Sequence, residues 1–303
     1  MVSYSINEAE HIMDVSILIV NYNTVELTIR AIESVYRSET TYQYELILID
    51  NASSDGSVER IGTIFPDLKL IANEDNVGFA IANNQGMRIA QGRYVLLLNS
   101  DTEIESDTLQ VMMDYMDRHP DVGASGCKVL LPDGSLDKAC KRGFPTPSAS
   151  LYHMSGLSRI FPKNPRFNQY QLGHLSPEES YEVDSLVGAF MLVRQATIDE
   201  VGLLDELFFM YGEDIDWCYR IKEAGWKIVY YPQTKIMHYK GASSRKKPLK
   251  IIYEFHRAMW LFHHKHYAKK YSFVFNGIVY SGIYAKLCLS LLINQLRKRG
   301  VSS

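Results

Sequence analysis

The chain has 303 residues, 46% of them hydrophobic and 22% charged, with a net charge of −3. That is the composition of a globular protein large enough for one sizeable domain and an appendage, and it excludes a disordered or repetitive chain. The charge is uneven: from Arg245 onward twelve Lys/Arg face the single acid Glu254, so this tail carries +11 and the rest −14, which implies two different environments.

Taken in order, residues 15–20 (VSILIV) are an apolar run of the kind that forms a strand buried on both faces. Polar Asn21, Tyr22, Asn23 and Thr24 follow, then a helical stretch from Val25 to about Arg37. Residues 44–49 (YELILI) give a second strand ending in Asp50 and Asn51, and Ala52-Ser53-Ser54-Asp55-Gly56-Ser57 opens another helix. A shorter strand covers 68–72, a helix 79–91, and a fourth strand 94–98 runs into Asn99-Ser100-Asp101. Strand and helix alternating at this spacing imply right-handed crossovers and a mostly parallel sheet. No Gly-x-Gly-x-x-Gly follows the first strand and no Gly-Lys-Ser/Thr loop occurs, so dinucleotide and P-loop readings are weak.

Asp101 then stands at the carboxyl edge of the sheet, where open α/β folds take their ligands. Two readings remain open. Asp101 caps a helix starting near Glu105, with Ser106 and Asp107 as rival caps, or it holds a divalent cation that bridges to a diphosphate.

Residues 120–180, with Pro132, Pro145, Pro147, Pro162, Pro165 and Pro177, read as a long irregular region, which inside a compact domain is more often functional than idle. Order resumes over 183–194. Residues 208–220 (FFMYGEDIDWCYR) lead into a helix reaching Ala224, and 227–231 with 236–241 close the domain.

From about Pro248 the pattern changes to long helices. Residues 255–271 mix Trp260, Phe262, Tyr267 and Tyr271 with His256, His263, His264 and His266; with no carboxylate nearby, these histidines read as solvated or headgroup-facing. Residues 273–293 are apolar apart from Asn276 and Lys286 and a few small polar residues, long enough to span a bilayer or to lie in its interface. An ordinary helical pair packed on the domain is the alternative. Cys127, Cys140, Cys218 and Cys288 lack metal-type spacing, and the first dozen residues, with Glu8 and Glu10, lack the apolar core of a signal peptide. Free thiols and a cytoplasmic site of action are expected.

Five segments in order carry a resemblance: VSILIVNYN (15–23), LIDNASSDGS (48–57), NVGFAIANNQG (76–86), LNSD (98–101) and GEDID (212–216). Together they resemble the family 2 glycosyltransferases of the nucleotide-diphospho-sugar transferase (GT-A) fold, in their rhamnosyltransferase-like branch. The resemblance implies an α/β fold with a mostly parallel central sheet flanked by helices over residues 14–245, and a C-terminal helical extension over 246–303. It implies that Asp50, with Asn51, meets the pyrimidine or ribose, that Val20, Asn21, Tyr22 and Asn23 flank the base, and that Asn76, Gly78, Phe79, Asn83 and Asn84 line the nucleotide pocket, Gly78 permitting a close backbone approach.

Asp101 matches the last residue of the family's Asp-x-Asp motif and would hold Mg²⁺ or Mn²⁺ against the diphosphate, beside Asn99 and Ser100; Asn99 departs from the pattern by carrying no charge. His238, in the segment HYKGAS, matches a late histidine that reaches the metal or phosphates, with simple packing as the alternative. Glu213-Asp214 matches the catalytic base motif. Asp214 is the first choice and Glu213 and Asp216 are rivals, the alternative being three acids that favour a helix N-terminus. Phe208–Tyr211 with Trp217 would form a sugar-stacking wall.

The activity so implied is inverting, metal-dependent transfer of a sugar, rhamnose in the first instance, from a dTDP or UDP donor to a lipid-linked or cell-surface polysaccharide acceptor. The enzyme would work peripherally on the inner face of the cell membrane, with no nucleic-acid partner. The alternatives are another donor sugar, N-acetylglucosaminyl or galactofuranosyl, and an inactive nucleotide-sugar-binding scaffold.

Overall fold

The computed structural model describes residues 13–240 and 248–301. Glu8, Glu10, the Gly241-Ala242-Ser243 end of the histidine segment, and Arg245, Lys246 and Lys247 lie outside the described residues.

The first half alternates β1 (Val15–Asn21), α1 (Val25–Tyr36), β2 (Tyr44–Asp50), α2 (Ser57–Ile64), β3 (Lys69–Ala72), α3 (Phe79–Met87) and β4 (Tyr94–Asn99). Then come β5 (Thr102–Ile104), α4 (Thr108–Arg118), β6 (Val122–Leu130), α5 (Pro147–Met154), α6 (Leu157–Ile160), β7 (Tyr181–Glu182) and β8 (Phe190–Arg194). The chain continues through α7 (Gln195–Val201), α8 (Glu213–Glu223), β9 (Lys227–His238), α9 (Pro248–His266) and α10 (Phe273–Val301). The strands form one sheet in the order β3-β2-β1-β4-β8-β6-β9-β5, with β7 paired to β9.

The β3-β2-β1-β4 half is parallel, as the alternating pattern requires. Its apolar runs are fully buried because helices cover both faces: Ile17, Leu18, Ile19, Ile47, Leu48, Ile49, Val95, Leu96 and Leu97 are all wholly inaccessible. The other half is mixed. β8 runs antiparallel to β4 and β6, and β9 is parallel to β6 but antiparallel to β5 and β7.

Two expectations change here. The irregular 120–180 region begins with a nine-residue strand, β6. Its sequence, VGASGCKVL, is rich in small residues because neighbours press on it; a Cβ at Gly123 would lie 2.8 Å from Trp226 Cβ. Residues 227–231 and 236–238 belong to one strand, β9, and the intervening Pro232 is accommodated near a register shift against β6. All four cysteines are thiols.

The C-terminal helices dock on the sheet domain through a second core. Phe208, Ile215 and Tyr219 pack with Ala258, Phe262 and Tyr267. Ion pairs reinforce this contact: Asp216 Oδ1 meets Lys265 Nζ at 2.8 Å and His266 Nε2 at 2.7 Å. Of the four histidines expected to be solvated, only His264 is exposed. His256 and His263 are buried, and His266 finds a carboxylate that lies fifty residues earlier in the sequence. α10 packs along α9, and its Phe273–Leu296 stretch is long and apolar enough to cross a membrane while remaining almost wholly unburied.

One contact ties α3 to the approach of α8. Gly78 has φ +92°, and a Cβ there would fall 2.5 Å from the Phe209 carbonyl oxygen, which accepts a hydrogen bond from Phe79 N–H at 2.8 Å. Gly78→Ala should therefore cost about 1–3 kcal/mol from the positive-φ extended backbone alone, with the clash added. The expected fall in Tm is roughly 4 °C or more. An unchanged melting curve would mean that the 78–79 and 208–211 segments are not in contact.

Candidate active site

Strand register builds the site. Asn21 lies opposite Asp50 across β1 and β2, and Val20 opposite Asn99 across β1 and β4, so three polar side chains finish their strands on one carboxyl edge. Asn21 is fully buried and fully engaged: its Nδ2 donates to Asp50 Oδ1 at 2.7 Å and to Ser53 Oγ at 3.1 Å, while its Oδ1 accepts from Thr24 and Thr28 hydroxyls at 2.8 Å. Ser53 N–H donates to Asp50 Oδ2 at 2.8 Å. Each Asp50 oxygen thus has one donor and keeps a lone pair, which suits recognition of an imide N–H or a ribose hydroxyl. Asn23, at φ +56°, accepts from Ser54 N–H at 2.7 Å and braces the same loop, and Tyr22 beside it is half-buried.

After β4 the chain turns through Ser100 and Asp101 directly into β5. No helix starts at Asp101, since α4 begins at Thr108 with Asp107 in the cap position and no side-chain cap bond, so the capping reading of Asp101 falls. β5 pairs with the end of β9, and Tyr239 N–H donates to Asp101 carbonyl oxygen at 2.8 Å. That pairing brings His238 Nε2 to 3.2 Å from Asp101 Oδ1 and 3.5 Å from Asn99 Nδ2. On its other nitrogen, His238 Nδ1 faces Asp137 Oδ2 at 3.2 Å, and Lys240 Nζ reaches Asp137 Oδ1 at 3.1 Å. Burial opposes a charged His238 ring, but the hydrogen bonds and charges of Asp101 and Asp137 outweigh it and push its pKa up to about 9. Asp137, buried but bonded by His238 and facing Lys240, is held well below the usual carboxylate range.

The Asp101–His238 separation fits two neighbouring ligands on one octahedral cation, whose ~2.1 Å bonds put adjacent donors ~3 Å apart. Asp137 on the far nitrogen is the outer carboxylate that commonly orients a ligating imidazole. Among the described residues no cage of three or more His, Cys, Asp or Glu side chains forms. Two protein donors suit an ion whose remaining positions are filled by phosphate oxygens and water.

The acidic pair arrives from the far side of the sheet's midline. β8 is antiparallel to β4, so the residues before it lie at the same edge, and Asn99 N–H donates to Ala189 carbonyl oxygen at 3.1 Å. Next to it, Gly188 N–H donates to Asp214 Oδ2 at 3.3 Å, and Arg142 Nη2 donates to the same oxygen at 2.6 Å. Tyr211 and Gly212 both have positive φ, +69° and +83°, and this tight turn launches α8 with Glu213 and Asp214 in its first turn. Glu213 is buried with Oε2 unpartnered, and burial followed by repulsion from Asp214 pushes its pKa up to about 8. Burial is the strongest influence on Arg142 and disfavours its charge, but the charge and hydrogen bond of Asp214, with Tyr170 and Cys218, together outweigh it and keep the guanidinium protonated.

A sequence profile for Glycosyl transferase family 2 matches residues 16–169, just over half of the chain. The chain belongs to this family. The glycosyltransferase is 29% identical over 231 residues to an N-acetylglucosaminyl-diphospho-decaprenol L-rhamnosyltransferase of Mycobacterium tuberculosis, covering 72% of this chain and 73% of that protein. It is also 29% identical over 174 residues to the rhamnosyltransferase WbbL of Escherichia coli K12, covering 57% of this chain and 62% of the relative. These likenesses place it in the rhamnosyltransferase-like branch. Among solved structures, S. aureus TarS 1-349 superposes with a TM-score of 0.56 at 15% identity, over 90% of this chain and 71% of that one. GalNAc-T7 with UDP, GalNAc and Mn²⁺ superposes with a TM-score of 0.55 at 17% identity, over 76% of this chain and less than half, 44%, of that one. The fold is therefore GT-A.

Against this geometry several expected roles change. Trp217 is no part of a sugar-stacking wall: it is fully buried in the main core, and its Nε1 donates to Gly202 carbonyl oxygen at 2.9 Å. Phe208 is equally committed, to the second core. Asn84 is used up holding the loop before α8, through Leu204 and Glu206, and Asn83 donates back to Phe79 carbonyl oxygen. Asn51 braces Gly78 and Asn73, and Asn76 accepts from Gly78 N–H. A Cβ at Gly78 would meet Phe209. Asp216 is wholly inaccessible, bound by Arg220, Lys265 and His266, so it anchors α9 and cannot reach an acceptor.

Arg142, Asp137 and Gly188 were not anticipated. The first two come from the 120–180 segment, whose length flagged function but whose sequence carries no periodic signal that aims a side chain. Trp217→Ala should lower stability by about 3–5 kcal/mol, whereas Trp217→Phe should retain most stability and leave nucleotide affinity unchanged in calorimetry.

Proposed function

We propose that this glycosyltransferase is an inverting, metal-dependent enzyme that moves rhamnose from a dTDP or UDP donor to a lipid-linked glycan acceptor at the inner face of the cell membrane. The carrying observation is the buried Asp101–His238 pair, with Asp50 ending the second strand on the same edge and Asp214 drawn to that edge through Gly188. The rhamnosyltransferase names of the relatives support the sugar, and the diphospho-decaprenol in one of those names supports a lipid-linked acceptor.

In this reading Asp50 accepts hydrogen bonds from the pyrimidine or ribose, and the Asn21–Ser53–Thr24 network fixes its two oxygens. Asp101 and His238 would hold Mg²⁺ or Mn²⁺, which supplies positive charge to the departing nucleoside diphosphate. Loading the ion requires the His238 ring to give up its Nε2 proton. Asp214 takes the proton from the acceptor hydroxyl as that oxygen bonds to the anomeric carbon and the bond from that carbon to the diphosphate oxygen breaks. A single displacement of this kind inverts the anomeric centre, and a positioned carboxylate contributes ~10²–10⁴-fold.

Arg142 and Gly188 N–H fix the Asp214 carboxylate. Glu213, with its pKa up near about 8, holds its proton at neutral pH and is a poor base there. Residues 14–245 are then the catalytic unit. Residues 246–303 are a membrane-associating extension, its basic residues worth ~1 kcal/mol each against an anionic surface.

Thermal unfolding with dTDP, UDP and GDP, with and without Mn²⁺, tests the donor site. A ligand at 100 times its Kd adds ~2.7 kcal/mol. One pyrimidine nucleotide should give a Mn²⁺-dependent rise in Tm that Asp101→Ala abolishes. Separately, Asp214→Asn should lower turnover by at least ~10² with that Tm rise intact. Near-normal turnover in Asp214→Asn would remove it as the base, and no response to any nucleotide would turn the reading to an inactive scaffold.

A further inference from the structure

Outside the donor edge, α9 and α10 line an open-sided cavity of about 370 Å³ with Tyr211 at its rim. Tyr211, Ile251, Ile252 and Phe255 give it apolar walls. Its polar lining from these helices is Lys286, His256 and Ser290, with no carboxylate among the lining residues. Lys286 is the only charged side chain in the 24-residue apolar stretch Phe273–Leu296. It makes no ion pair or hydrogen bond with the described residues, and its Nζ lies 5.8 Å from the centre of the Phe255 ring. Burial pushes its ammonium pKa down.

His256 is 96% buried, being 4% exposed. Its Nδ1–H is spent on Ile252 carbonyl oxygen at 2.7 Å, and Nε2 is left buried with no partner. Burial, and to a lesser extent the Lys286 charge, push this ring's pKa down, and burial followed by the same ammonium does so at His153 on α5. An unpaired cation in a half-buried apolar cavity is costly unless something neutralises it. The chemistry that meets all these surfaces at once is an anion on a hydrocarbon chain.

We infer that the α9–α10 cavity binds the phosphate or diphosphate end of the lipid that carries the acceptor sugar, with Lys286 as counter-ion, His256 Nε2 as second polar contact, and Ile251, Ile252 and Phe255 against the first carbons of the chain. This rests on the glycosyltransferase reading above and adds the subsite that reading lacks. An arriving anion lets His256 take a second proton at Nε2 and donate it. The location suits the role, because Tyr211 belongs to both the cavity wall and the turn that presents Glu213 and Asp214. The exposed apolar residues of α10, among them Phe273, Val274, Ile278 and Tyr284, place the cavity where such a lipid resides.

The test uses the full chain in detergent with chelator present, so that no metal recruits phosphate to the donor site. Farnesyl diphosphate, farnesol and inorganic diphosphate are titrated by calorimetry against the wild type, Lys286→Gln and Lys286→Arg. Farnesyl diphosphate should bind at least tenfold tighter than either fragment, lose at least tenfold in Lys286→Gln, and recover most of it in Lys286→Arg. Equal affinity for inorganic diphosphate would reduce the cavity to a plain anion site and overturn the inference. So would equal affinity for farnesol, or no loss in Lys286→Gln. The nucleotide-dependent Tm rise, measured with Mn²⁺ on the same preparations, separates the two readings. If it persists while farnesyl diphosphate fails to bind, only the cavity assignment falls; if it too is missing, the donor-site reading falls with it.

Discussion

The pairing register of β1 between β2 and β4 is the constraint on which the site depends. It sets Asn21 against Asp50 and Val20 against Asn99, so the polar ends of three apolar strands share one edge. A slip of one residue would turn each of these side chains to the opposite face of the sheet. The register is protected by complete burial on both sides: Ile17, Leu18 and Ile19 cannot exchange places with polar neighbours without exposing core or burying charge. Asn21 then converts register into geometry, since its amide donates to Asp50 and Ser53 and accepts from Thr24 and from Thr28 of α1.

The antiparallel insertion of β8 between β4 and β6 does the second half of the work. In a wholly parallel sheet the residues preceding the next strand would lie at the opposite, amino edge. Because β8 runs backwards, Gly188 and Ala189 meet the end of β4, and Asp214 is drawn there with its buried partner Arg142. Removing one member of such a buried pair typically costs ~3–5 kcal/mol, because the other is left charged without a partner. The pair therefore fixes the launch of α8 as firmly as it fixes the carboxylate.

The first turn of α8 divides three acids among three tasks. Glu213 is buried without a partner at Oε2, Asp214 is held by Arg142 at the edge of the sheet, and Asp216 is locked to Lys265 and His266 of α9. The same short helix thus meets the carboxyl edge of the sheet and clamps the C-terminal extension to it. The aromatic cluster of Phe208, Tyr219, Phe262 and Tyr267 completes that clamp. A carboxylate at a helix N-terminus is favoured by the helix dipole in all three cases, so the dipole does not distinguish them. Their tertiary partners do.

The sequence by itself determined the parallel half of the sheet and the polar residues at its edge, because continuous apolar runs, abrupt polar ends and the spacing of helices are local properties. It also carried Asp50, Asp101 and the Glu213-Asp214 pair, each next to a recognisable strand end or helix start. It could not assign Trp217, Asn84 or Asp216, whose types suit a binding site but whose surroundings are a core, a loop brace and a helix clamp. Nor could it find Arg142 and Asp137, which reach the site from an aperiodic segment, or the pairing of His266 with Asp216. Long-range partners are set by which elements the fold brings together, and only the tertiary structure decided whether a given polar residue stood at the sheet edge, against a counter-ion or in the interior.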